Sequence, residues 1–209
     1  MKDILRLLSV FILLLFVCCK SNTVRISDKT EDKTKDSLAF MLCQIYGFDQ
    51  GIRDFNLKHK DFKMVPRIDT LNFNKIVEFV KINGYPTKIL LGENYLKQEC
   101  VDAAVGVVLL HNPHRLVNEI EYFNLFLNEV KKGNLKPETF AFFLDKYYWT
   151  SSKNKVNRRV FYGSNFGKPC IQTKDATNKA RIEIGLKALK DEEFVDCAGE
   201  VLDMPKIRK

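Results

Sequence analysis

Histidine and tryptophan are scarce in this chain: three histidines and one tryptophan occur among 209 residues. Six cysteines are present, and two of them are adjacent at Cys18-Cys19. Outside that pair no C-x-x-C spacing occurs, so neither a zinc knuckle nor a thioredoxin-like redox motif is supported. There is no H-E-x-x-H, no G-x-S-x-G and no glycine-rich phosphate loop. These absences exclude the familiar signatures of zinc proteases, serine hydrolases and nucleotide-binding domains. No apolar run approaches the roughly 20 residues that a membrane-crossing helix needs. Residues 37–197 contain no internal repeat and no linker-like stretch.

What is present begins at the N-terminus. Lys2, Asp3 and Arg6 form a short polar head, an apolar run follows from Leu7 to Val17, and Lys20-Ser21-Asn22 turns polar directly after Cys18-Cys19. The pattern resembles a bacterial lipoprotein signal, cleaved before a cysteine whose thiol carries lipid. The apolar run is too short for a hydrocarbon core of roughly 30 Å. Cleavage favours a small residue before the lipidated cysteine, which points to Cys19 with Cys18 as the alternative. Phe16 departs from the small residues usual in such a signal, and a plain secretory signal is the competing reading.

The formal net charge is +8. Removing residues 1–18 takes away Lys2, Arg6 and Asp3, a net +1, and leaves +7. Such a balance favours acidic surfaces, namely anionic glycan or lipid headgroup. Nucleic acid is excluded as a partner for an exported protein. Residues 19–36 are nearly all polar or charged and read as a flexible tether, because they cannot bury enough apolar surface to fold. Residues 37–197 then form one helical domain, followed by a polar tail over 198–209.

Within that domain the apolar residues recur at helical spacing. Leu38, Met41, Leu42, Ile45, Phe48, Ile52 and Phe55 predict one buried helical face. Asp69 reads as the N-cap of a second helix ending at Asn83-Gly84. A third helix follows Gly92 and is broken at His111-Asn112-Pro113-His114. Leu116, Ile120, Phe123, Leu127 and Val130 mark a fourth, closed by Gly133. Pro137 opens a fifth, where its missing N–H costs nothing. Helical periodicity lapses over 151–173, and residues 156–172 suggest an irregular or hairpin segment. A last helix is expected over about 176–190. The fold class is mainly α, a single compact multi-helix domain. Among the four downstream cysteines, Cys43 and Cys100 read as buried small residues, whereas Cys170 and Cys197 are the favoured disulfide pair.

Several short motifs occur in an order that resembles the bacterial family called domain of unknown function 6624. They are Asp49-Gln50-Gly51-Ile52-Arg53, Gly84-Tyr85-Pro86, Leu91-Gly92, His111, Asp145-Lys146 and Tyr162-Gly163-Ser164-Asn165. Lys146 replaces the family's usual arginine, and Ser164-Asn165 replaces its Thr-Gln. The resemblance implies a fold more than a reaction. It does suggest Asp49, Arg53, His111 and Asp145 as catalytic candidates, with Gln50 and Tyr162 as binding candidates.

Each candidate has a plainer reading. Asp49 and Arg53 stand at i,i+4, a spacing that often gives only a surface contact of about 0.2–0.5 kcal/mol. Apolar neighbours place at least part of this group near the core, where a buried aspartate needs a partner such as arginine. His111 and His114 have H-x-x-H spacing, but Pro113 pushes Asn112 away from helical angles, so the rings need not converge. A zinc site would also need a third ligand, Asp49 or Asp145. No metal or other cofactor is therefore assigned. His111 is expected to end the third helix, bonded to backbone or to a neighbouring acid, and His59 reads as solvated. Tyr147, Tyr148 and Trp149 followed by Lys153, Lys155, Arg158 and Arg159 mix rings with positive charge, which suits glycan or headgroups, or else a solvated basic loop over a core edge.

The leading expectation is a monomeric envelope lipoprotein. It is anchored by lipid to a membrane (the outer membrane), faces the periplasm or exterior, and serves as a non-catalytic binding or envelope-maintenance module. The alternative is a hydrolase-like or metal-assisted enzyme with a pocket around Asp49, Arg53, His111 and Asp145.

Overall fold

The computed structural model describes residues 22–54, 64–153 and 155–199. The expectations for the leader, for Cys18 and Cys19, for Phe55 and His59, and for the tail beyond 199 lie outside the described residues. The described chain is mainly helical and forms a compact multi-helix domain. Its helices are α1 (Asn22–Gly51), α2 (Met64–Asn83), α3 (Lys88–Leu91), α4 (Glu93–Leu96), α5 (Glu99–Asp102), α6 (Ala104–His111), α7 (Pro113–Asn118), α8 (Ile120–Lys131), α9 (Pro137–Ser151) and α10 (Lys174–Glu183).

Helix α6 is the centre of the domain. Its sequence is apolar on nearly every side, and Ala104, Val105, Val108 and Leu109 are fully buried. A helix of that kind must be surrounded, and α1, α2 and α9 all pack against it. Helix α8 is more one-sided: Phe123, Phe126 and Leu127 face the core while Glu121 and Lys131 stay outside. Truncating Phe123, which has no exposed surface, would cost about 3–5 kcal/mol.

Several expectations change. Helix α1 takes in most of the segment expected as a tether. Burial of Ala39, Leu42 and Ile45 anchors it, and extending an existing helix fixes only one residue per added bond. Its buried line runs Leu42, Ile45, Asp49, while Met41 and Phe48 are exposed. The second helix begins at Met64, so Asp69 lies inside it rather than capping it. The third expected helix, after Gly92, is cut into α4, α5 and α6, and the short α3 precedes it. Gly92 at φ +85° breaks the chain between α3 and α4, a conformation that residues with a Cβ rarely adopt. Glu119 is extended and divides the fourth into α7 and α8, which lets α7 lie on α9.

No strand occurs among the described residues, and only isolated parallel bridges join Val160 to Pro169 and Cys170 to Val195. A hairpin fails there for a specific reason. The N–H groups of Phe161, Tyr162 and Ser164 are committed to the Asp145 carboxylate, and Pro169 has none to give. Helix α10 stops at Glu183 because Gly185 at φ +90° supports a Schellman turn. In it, Leu186 N–H donates to Arg181 O and Gly185 N–H to Ile182 O.

Two disulfides close the domain. Cys170–Cys197 matches the sequence expectation. Cys43–Cys100 corrects it, because these two half-buried residues are bonded across 57 positions and tie α1 to α5. Helical periodicity placed each on an inward face but carried no signal that the two faces meet.

Candidate functional site

The Cys43–Cys100 bond and a 2.7 Å hydrogen bond from Tyr46 Oη to Glu99 Oε1 clamp α1 beside the segment leading into α6. Two buried asparagines complete the frame. Asn72 Nδ2 donates to Ile45 O at 3.4 Å, joining α2 to α1. Asn112 Nδ2 donates to Asp69 O at 3.2 Å and to Val108 O at 2.9 Å, joining the end of α6 to α2. The ends of α1 and α6 and the flank of α2 are thereby held together.

At that junction lie Asp49, Arg53, Asp69 and His111. Asp49 has no exposed surface. Its Oδ1 stands 3.0 Å from His111 Nδ1 and 3.3 Å from Arg53 Nη1, while its Oδ2 accepts from Gln50 Nε2 at 2.8 Å. Arg53 also donates from Nη1 to the Asp49 carbonyl at 2.8 Å, and from Nη2 to Asp69 Oδ1. A carboxylate only accepts, so the His111 nitrogen facing it must carry the proton. In neutral His111 the lone pair is then on Nε2. The His111 side chain retains 30 % of its surface exposed, so the cluster is sealed at Asp49 and wet at the imidazole.

The sequence candidates divide accordingly. Asp49, Gln50, Arg53 and His111 come together, and His111 does end its helix against an acid. Asp145 and Tyr162 belong to a different assembly. Asp145, fully buried on α9, accepts from the N–H groups of Phe161 at 2.8 Å, Tyr162 at 2.7 Å and Ser164 at 2.8 Å. Burial pushes the Asp145 pKa up, and these three donors work against that rise. The Tyr162 carbonyl in turn accepts from Arg181. Asp145 therefore organises the 161–164 segment rather than the Asp49 group.

Sequence reasoning missed Asp69, Asn112 and Arg181 as partners. The available signal for Asp69 is an acidic residue of modest helix propensity within an amphipathic stretch, which reads equally as a cap. The motif Gly84-Tyr85-Pro86 also has a structural account: Tyr85 N–H donates to Glu129 Oε2 at 3.0 Å, which ties the loop after α2 to α8.

The carboxylates of Asp49 and Asp69 and the His111 ring each offer a ligand atom within 4.8 Å of the others, a separation that fits a divalent cation. Arg53 already sets a positive charge between the two carboxylates, so a metal would have to displace or repel it. No family model matches the chain, and no curated protein or solved structure matches it either.

Proposed function

We propose that this protein is an exported, lipid-anchored bacterial envelope domain whose Asp49–His111 pair performs acid–base chemistry on a bound substrate, with hydrolysis by water as the reaction class. The carrying observation is the 3.0 Å contact from His111 Nδ1 to a fully buried Asp49, itself oriented by Arg53 and Gln50. A base held by a third group in this way is the arrangement that activates water or a hydroxyl. His111 Nε2 accepts a proton from the attacking water, Asp49 stabilises the resulting imidazolium, and the same proton passes to the leaving group. Such catalysis contributes about 10²–10⁴-fold.

The convergence of Asp49, Arg53 and His111 favours this reading over a purely non-catalytic module. The Asp49-to-Arg53 and His111 motifs, which resemble those of the domain of unknown function 6624 family, meet at this cluster. Export is supported by the two disulfides, which persist in oxidising compartments.

The test is a panel of ester, amide, phosphoester and glycoside substrates presented to the intact protein and to His111→Gln and Asp49→Asn. Turnover that falls at least 100-fold in both variants, with helical content retained, supports the reading. Turnover unchanged in His111→Gln defeats it. Metal-assisted hydrolysis is the second reading, favoured by the 4.8 Å grouping. It expects Arg53→Gln to tighten binding of zinc or manganese, measured by calorimetry. Anchoring is tested separately, by incorporation of a palmitate analogue that is lost in Cys19→Ser.

A further inference from the structure

A second feature lies on another part of the molecule. An open cavity of about 460 Å³ sits between the end of α9 and residues 155–168. Lys155, Arg158, Arg159 and Lys168 line it together with Trp149, and among the described residues no carboxylate does. Lys155 Nζ donates to the Thr150 carbonyl at 3.0 Å and Lys168 Nζ to the Glu192 carbonyl at 2.8 Å, so main-chain oxygens fix these side chains without cancelling their charge.

The aromatic residues do not offer a free platform. Arg158 stands 3.7 Å from the Trp149 ring centre and Lys146 4.5 Å from it, and Lys146 also lies 5.4 Å from the Phe166 ring centre. The rings therefore hold cations in place, which argues against sugar stacking on Trp149. Burial and the neighbouring Arg158 lower the Lys146 pKa. Val156 is 91 % exposed, an apolar residue at the tip of the basic segment.

Positive charges gathered around a concavity call for a phosphate-type anion. An exposed apolar residue beside them adds something a soluble anion cannot use, because it can enter the boundary between headgroups and acyl chains. We propose that this face docks on anionic phospholipid, with Lys155, Arg158 and Lys168 at the headgroup phosphates and Val156 inserted beneath them. The inference is independent of the chemistry at His111, and an anchored domain would meet such a surface repeatedly.

Trp149 is the only tryptophan, so its fluorescence reports on this face in the intact protein. The protein is placed in vesicles of brominated phosphatidylcholine, or of brominated phosphatidylcholine and phosphatidylglycerol in equal amounts. Quenching of Trp149 is expected to be stronger with phosphatidylglycerol, to fade at high salt and to be lost in K155E/R158E. Two cations removed at the usual contribution correspond to about a thirtyfold weaker attraction to the surface, and the two glutamates put in their place weaken it further. Val156→Asp should reduce the quenching without changing the thermal melt. Equal quenching in both vesicles, or quenching that survives K155E/R158E, overturns the proposal. So does an equal Trp149 response to inorganic phosphate or to a sulfated glycan without vesicles, which would assign the cavity to a soluble anion.

Discussion

His111 Nδ1 lies 3.0 Å from Asp49 Oδ1, although 62 positions separate the two residues in the chain. The contact joins the end of α6 to the end of α1 and consumes one lone pair of an aspartate that water does not reach. Burying that charge is unfavourable unless its partners are in place. Asp49 has three side-chain partners: His111, Arg53 and Gln50.

Asp49→Ala should therefore destabilise the fold by about 3–5 kcal/mol, because Arg53 and His111 lose their buried partner together. Asp49→Asn keeps the shape and should cost less. Urea unfolding measures both. A double-mutant cycle with Arg53→Gln is expected to give a coupling of about 0.5–3 kcal/mol. Additivity of the two substitutions would show that the ion pair is idle.

The two disulfides close segments of 57 and 27 positions. On the chain-entropy account, losing them costs about 4 and about 3.5 kcal/mol respectively. Cys43→Ser/Cys100→Ser should have the wider effect, since that bond holds α1 against the elements that carry His111. Thermal melts with and without reductant check this: the wild type should drop by many degrees on reduction, and the double variant by less.

Glu129 links the domain's stability to acid. Burial alone would raise its pKa, but bonds from Lys132 Nζ at 2.8 Å, Asn134 Nδ2 at 2.8 Å and Tyr85 N–H overcome that and hold it below the usual glutamate value. A carboxyl depressed in the folded state stabilises fully above its unfolded pKa of about 4.3, and that contribution is lost as pH falls through the folded value. Stability measured from pH 6 downward should fall less steeply in Glu129→Gln than in the wild type. Identical slopes would contradict the assignment.

Asp145→Ala would strand two buried N–H donors, Phe161 and Tyr162, and the half-buried Ser164, at about 1–3 kcal/mol for each buried one left without a partner. Amide hydrogen exchange should accelerate at Phe161, Tyr162 and Ser164 together. Asp145→Asn, which still accepts through one oxygen, should protect some of them. If the His111 site does the chemistry, both variants keep turnover as long as they remain folded.

The apolar spacing of α8 was legible because it presents a one-sided stripe of large residues, and Pro137 marks where α9 starts. The break at Gly92 was readable in part, since that residue was expected to begin a helix and does stand before α4. Phe48 was misread because periodicity counts apolar residues and cannot know that the next position, Asp49, takes the inward place. The missed hairpin has the same origin: a carboxylate on another helix collects the donors that strand pairing would need, and no local pattern reports it.

Taken alone, the sequence determined that this is a helix-built domain, roughly where its helices lie, and that Asp49, Arg53 and His111 were worth watching. Such features depend on spacing within one or two turns, and local spacing is written directly in the order of residues. Only the tertiary structure decided that Asp69 joins those three while Asp145 leaves them, and that Cys43 meets Cys100. Those outcomes turn on which helix faces touch across long stretches of chain, and that is settled by the packing of the whole core at once.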